Sequence, residues 1–158
     1  MSEAEELEQG KDPAAVAVKN ALRKARAVRR VAAVEAVLGC DTIVVLDGTI
    51  YGKPPDADAA RRTLAALAGR THEVISGVAV LLGEEERTVV ARTRVTFRAL
   101  DAEMLEAYVA TEEWRGRSGG YAIQGAGAKL ALAIDGEVEN VVGLPLGPLL
   151  ELYPEIAP

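Results

Sequence analysis

Cysteine and histidine are almost absent from this chain: its 158 residues hold one of each, Cys40 and His72. A lone cysteine rules out an internal disulfide and any zinc cluster built on thiolates. Cys40 reads as a small buried apolar residue, with a reactive thiol beside Asp41 as the alternative. His72 has no companion with which to share a metal, and reads as a surface or capping residue rather than a ligand. No stretch is long and apolar enough to span a bilayer, and the acidic, polar N-terminus lacks the apolar core of a signal peptide. Internal repeats, a phosphate-loop signature, a dinucleotide fingerprint and a histidine–glutamate metal motif are also missing. A net charge of −6 argues against broad binding to nucleic acid or anionic membranes, though not against a local basic pocket for phosphate. The expectation left standing is a soluble, cytoplasmic protein with no nucleic-acid or membrane partner.

What is present suits a globular protein. The length is that of one domain with a sizeable core, so residues 1–158 are expected to form a single unit. An apolar fraction of 49% and a charged fraction of 27% agree with that. The central stretch is Val37-Leu38-Gly39-Cys40-Asp41-Thr42-Ile43-Val44-Val45-Leu46. It is a buried strand by composition, yet it carries a carboxylate in its middle. A buried acid needs a cation, a metal or a cleft to face, which makes Asp41 the first candidate for function.

Before that strand, residues 1–11 read as an acidic tail, and Asp12-Pro13 caps a helix running to about Arg30. Val18, Leu22, Ala25 and Val28 or Arg29 follow its 3.6-residue period and are expected to face inward. After the strand, Asp47-Gly48 suits a tight hairpin turn to Thr49-Ile50-Tyr51. Gly52-Lys53-Pro54-Pro55 then leaves Lys53 on stiff, extended backbone. Asp56 caps a helix over 57–68. Strands Glu73–Leu82 and Thr88–Phe97 follow, joined by the acidic turn 83–86, with Gly77 marking a bulge or a close backbone approach. Asp101 caps a helix over 102–111. Five glycines between Gly116 and Gly127 build a loop that fits ligand binding and plain connection equally. A last hairpin is expected, Leu130–Ile134 turning at Asp135-Gly136 into Val138–Val142, and then a short helix ending near Tyr153. Hairpins dominate, so the sheet should be mixed or antiparallel.

Asp41, with Glu5 or Glu6, offers hard oxygen ligands suited to Mg2+ or Mn2+. Lys24, Lys53 and Arg117 can neutralise phosphate, and Gln124 carries the donor and acceptor that suit a pyrimidine edge. Together these residue types point towards hydrolysis of a phosphate ester or anhydride.

Several motifs then occur in a telling order: Gly39-Cys40-Asp41-Thr42-Ile43-Val44, Gly52-Lys53-Pro54, Thr71-His72-Glu73-Val74-Ile75-Ser76-Gly77-Val78, Gly119-Gly120-Tyr121-Ala122-Ile123-Gln124-Gly125, and Asn140-Val141-Val142-Gly143-Leu144-Pro145. Together they closely resemble the Maf family of nucleoside triphosphate pyrophosphatases, and Asn20-Ala21-Leu22-Arg23-Lys24-Ala25 resembles that family's first helix. The resemblance covers nearly the whole chain. It implies an α/β fold of α+β character, Maf-like or ITPase-like, with a mixed sheet, flanking helices and a central nucleotide cleft. It also implies divalent-cation-dependent hydrolysis of a nucleoside triphosphate to the monophosphate and pyrophosphate, a role in removing unwanted nucleotides. The Asp-Thr pair and the Tyr-Ala-Ile-Gln-Gly loop resemble the dTTP/UTP-preferring branch. By the same resemblance Asp41 is the catalytic acid/base and a metal ligand, and Glu6 a second metal ligand. Thr42 and Gln124 tune base choice, while Lys24, Lys53 and Arg117 hold phosphates. A nucleoside triphosphate is the expected partner, together with a second copy of the chain in a homodimer.

One departure matters. Family members open with a strand and a Ser-x-Ser-Pro-Arg-Arg loop, and neither is in this sequence. The expectation is an N-terminally truncated domain, with an exposed sheet edge and impaired activity. A non-catalytic nucleotide-binding protein linked to cell division and an inactive fragment are the competing readings.

Overall fold

The computed structural model describes residues 11–31 and 35–156. Among them, a five-stranded sheet is ordered β2-β1-β3-β4-β5. Its strands are β1 (Ala36–Leu46), β2 (Thr49–Tyr51), β3 (Thr71–Leu82), β4 (Glu85–Phe97) and β5 (Ala131–Asp135). Every pairing is antiparallel, so the mixed alternative does not arise within these residues. Asp47 and Gly48, at φ 49° and 78°, form the tight two-residue turn between β1 and β2 that the dipeptide predicts. Gly83-Glu84 makes an equally tight turn, and β4 begins at Glu85, earlier than its apolar run suggests.

The period of two along the strands divides the sheet into two faces. Ile43, Ile75, Ala79 and Leu81 pack on one face beneath the helix α1 (Pro13–Val31). Val44, Leu46, Val74, Val95 and Phe97 pack on the other face. Their cover comes from α2 (Ala57–Leu67), α3 (Ala102–Ala110) and the glycine-rich loop, with Trp114 and Tyr121 buried among them. Asp56 and Asp101 cap α2 and α3 as expected, accepting from the amides of Ala59 at 2.7 Å and Met104 at 2.8 Å.

α1 buries a different stripe from the one its large apolar residues suggest. Ala14, Val16, Ala17, Asn20, Ala21 and Ala25 lie inward; of the residues expected there Ala25 is buried, whereas Val18 and Leu22 are half-buried and Val28 is exposed. The reason lies in the sheet below. A Cβ built on Gly77 would stand 2.5 Å from the Ala17 carbonyl carbon, and one on Gly39 would stand 2.2 Å from the Ala21 carbonyl oxygen. The helix rests its backbone on the two glycines, and the residues at those contacts, Ala17, Ala21 and Ala25, are all alanine. Gly77 is thus the close approach that an interior strand glycine signals, and β3 continues through it without a bulge.

Two expectations are corrected. The second arm of the last hairpin is helix α4 (Val138–Val142), followed by α5 (Leu146–Leu152). The β-branched valines read as strand, but Asn140 is wholly buried and its amide donates to Val74 O and Thr93 Oγ1, both at 3.1 Å. Those bonds tie the segment across the sheet face, and Gly143, at φ 120°, stops the helix. His72 is not a surface residue either. It is 2% exposed, and its Nε2 shares a 2.7 Å hydrogen bond with the Tyr121 hydroxyl. Phe97 and Tyr121 meet its ring edge-on, with centroids at 4.9 and 5.5 Å.

Both features are testable. Gly77→Ala should push α1 off the sheet and cost about 3 kcal/mol in urea or thermal unfolding, since the obstructing atoms are backbone. Burial lowers the His72 pKa from 6.5 to about 4. The unfolded chain therefore takes up this proton first, and stability present above pH 6.5 is lost as pH falls towards 4. Wild type should lose about 3 kcal/mol more over that window than His72→Gln, which keeps a hydrogen-bonding group but does not titrate.

Candidate active site

β2 pairs with β1 only over Val44–Leu46. From Ala36 to Ile43, that edge of β1 has no strand beside it among the described residues, and the cleft opens there. Its cavity volume is about 180 Å3, and its mouth is open to solvent. Because it opens at an edge, it takes side chains from both faces of the strand. Asp41 comes from the α1 face and Thr42 from the opposite one, and both line it.

Asp41 is 2% exposed in its side chain and is held from α1. Lys24 Nζ donates to its Oδ1 at 2.7 Å and Asn20 Nδ2 to its Oδ2 at 3.1 Å. Asn20 and Lys24 are one helical turn apart, so one helix face presents both donors. Gly77 is the residue opposite Asp41 across the β1–β3 ladder, and Gly39 lies two before it. The same two glycines that let α1 descend therefore flank the acid that α1 grips. Asp41 is a buried carboxylate with its cation supplied, which is one of the conditions that its place in an apolar strand requires.

The far wall is the glycine-rich loop, fastened by one bond to β1 and one to the residue that follows β2. Ser118 Oγ donates to Thr42 O at 2.6 Å, and the Gly119 amide to Gly52 O at 3.1 Å. Gly119 sits at φ 74°, and a Cβ there would meet Val44 at 2.7 Å, so glycine is required for the loop to lie this close. Thr42 Oγ1 bonds Ser76 Oγ at 2.7 Å. Cys40 is half-buried rather than buried, and its thiol donates to Gly143 O at 3.3 Å. Burial pushes that thiol's pKa up, which keeps it a weak donor rather than a nucleophile.

Lys24, Asp41, Thr42, Lys53, Arg117 and Gln124, spread over a hundred positions of sequence, line this one cleft. Glu6 lies outside the described residues. Asn20, Ser76 and Ser118 hold the site together but carry little sequence signal. A polar residue within the alanine stripe of α1 was the one available hint, for Asn20.

The donor set bears on a metal. Among the described residues, no three His, Cys, Asp or Glu side chains cluster. The cleft offers one acid amid three cations. That does not make an all-protein cage, but it fits Mg2+, which binds through one or two carboxylates together with substrate phosphates.

The family model described as Maf-like protein matches residues 1–156. A Pyrococcus furiosus protein named dTTP/UTP pyrophosphatase is 42% identical over 142 residues, covering 90% of this chain and 75% of its own length. Proteins of that name from Moorella thermoacetica and Symbiobacterium thermophilum are 50% and 46% identical, over 89% and 85% of this chain and 73% and 69% of theirs. With the family model matching residues 1–156 and relatives at 42–50% identity, the chain belongs to the Maf-like protein family.

Proposed function

We propose that this protein is a nucleoside triphosphate pyrophosphatase acting on dTTP, UTP or related pyrimidine nucleotides. The observation that carries the reading is the convergence of one buried carboxylate, three cations and an amide side chain on a single cleft, in a chain whose relatives are named dTTP/UTP pyrophosphatase.

In this reading Lys53, Arg117 and Lys24 hold the phosphates. Lys53 belongs to the Gly52-Lys53-Pro54 segment and Arg117 to the glycine-rich loop bonded to it, and with Lys24 they give a triphosphate three positive charges in one cleft. Lys24 and Asn20 aim the Asp41 carboxylate, which takes a proton from water as that water's oxygen bonds to the α-phosphorus. The α–β bridging P–O bond breaks, and pyrophosphate leaves with the electron pair. Asp41 would also hold a divalent cation shared with phosphate oxygens, and such a cation neutralises the charge that develops on them. Glu6 is a second candidate ligand. Thr42 and Gln124, which both line the cleft, serve as contacts for the base, where the Gln124 amide supplies one donor and one acceptor.

Pyrophosphate release over a panel of nucleoside triphosphates, with Mg2+ or Mn2+, tests this. Wild type should favour dTTP and UTP and lose activity in chelator. Asp41→Asn should lower kcat by roughly 10^2 to 10^4, and Lys53→Ala should raise KM by roughly tenfold, the loss of one charged contact. Release of orthophosphate alone, or undiminished turnover by Asp41→Asn, would refute the mechanism. Nucleotide binding without turnover would instead indicate a binding protein.

A further inference from the structure

Glu113 packs against the glycine-rich loop and is not among the residues that line the substrate cleft. Its carboxylate accepts hydrogen bonds from the amides of Ala126 at 2.9 Å and Gly127 at 3.3 Å, and from the Tyr108 hydroxyl at 3.2 Å. The same hydroxyl accepts from the Ala122 amide at 2.9 Å. One carboxylate and one phenol on α3 and the turn after it thus collect backbone donors from both ends of the segment 122–127. Gln124 is at the middle of that segment, between Ala122 and Ala126, and its side chain lines the cleft.

The loop is shaped to admit this carboxylate. A Cβ on Gly125 would stand 2.6 and 2.8 Å from the two Glu113 oxygens, and one on Gly127 would stand 2.3 Å from Ala122 O. The Gly125 amide closes the turn on Ala122 O at 3.1 Å. These two glycines do not contact the cleft. What they make room for is the Glu113 clamp and the tight turn itself.

We propose that Glu113, acting with Tyr108, is a positioning residue for base selection: it clamps the 122–127 turn closed and so sets where Gln124 stands at the cleft wall. The proposal rests on the reading of the cleft as a pyrimidine nucleotide site. Backbone donation from Ala126 and Gly127, with help from Tyr108, holds the Glu113 carboxyl below the usual carboxylate range, so the clamp is ionised at neutral pH and its bonds are charge-assisted. A side chain that hydrogen-bonds a base edge discriminates only while its backbone is fixed to a fraction of an ångström. Loosening the turn lets Gln124 retreat, which weakens its bond to a pyrimidine and widens the cleft for a purine.

The test compares kcat and KM for dTTP and dATP in wild type, E113A, E113Q and Y108F, with dissociation constants for both nucleotides measured alongside. E113A should lower the dTTP-over-dATP ratio of kcat/KM about tenfold, mostly through a raised KM for dTTP, with kcat changed less than threefold. E113Q, which keeps one acceptor oxygen, should fall between E113A and wild type. Y108F removes the hydroxyl that joins Glu113 to the Ala122 amide and should shift the ratio in the same direction, which keeps the proposal testable if E113A does not fold. A wild-type ratio in E113A and Y108F, or an equal loss for both nucleotides, overturns it. If wild type binds both nucleotides without turnover, the proposed reaction fails, and the ratio of dissociation constants decides the clamp by the same criterion. If wild type binds neither nucleotide, the reading of the cleft and the clamp proposal fall together.

Discussion

The close approach of α1 to the sheet is the constraint on which the site depends. Two glycines on one face of β1 and β3, Gly39 and Gly77, leave no side chains where the helix backbone comes down. That contact brings Asn20 and Lys24 to Asp41, and it is what makes burial of this carboxylate tolerable. A buried charge without such partners would be a large cost; with them it becomes a fixed, oriented group. The packing of the helix and the chemistry of the cleft are therefore one structural feature, sharing the same few residues.

The opposite wall is built on a different principle. A glycine-rich loop has little stiffness of its own and many backbone donors to satisfy. Side chains provide both. Ser118 ties the loop to β1, Glu113 and Tyr108 close its second turn, and Tyr121 sits in an aromatic group with His72 and Phe97. His72 thus serves the loop from the start of β3 as a neutral, buried hydrogen-bonding ring. The cleft lies between this pinned loop and the edge of β1 that no strand pairs among the described residues, where residues from both strand faces can reach it.

Much of this was legible in order along the chain. The strand around Asp41, the Asp47-Gly48 turn, the caps at Asp56 and Asp101 and the antiparallel run all follow from local chemistry, because each depends on residues within a turn of one another. The residues read as a site from motifs come together at one cleft, Glu6 excepted, which lies outside the described residues. What misled was equally physical. Large apolar residues on α1 suggested the inward face, but the sheet beneath presents glycines and selects alanines. Valines at 138, 141 and 142 suggested a strand, but a buried Asn140 bonded across β3 and β4 outweighs their propensity. His72 looked solitary because its partner, Tyr121, is 49 residues away.

The sequence by itself determined the family, the run of strands and helices as far as β5, and the acid at the centre of β1. Those properties reside in local pattern and in motifs that stay recognisable one at a time. Only the tertiary structure decided what the acid touches, which helix face is buried, and where the cleft opens. Each of those depends on two surfaces meeting: glycines of β1 and β3 against α1, the short β2 pairing only the last residues of β1, and Glu113 reaching a loop turn that begins nine residues further on. Distance in space, and the room a missing side chain leaves, are not written at any single position.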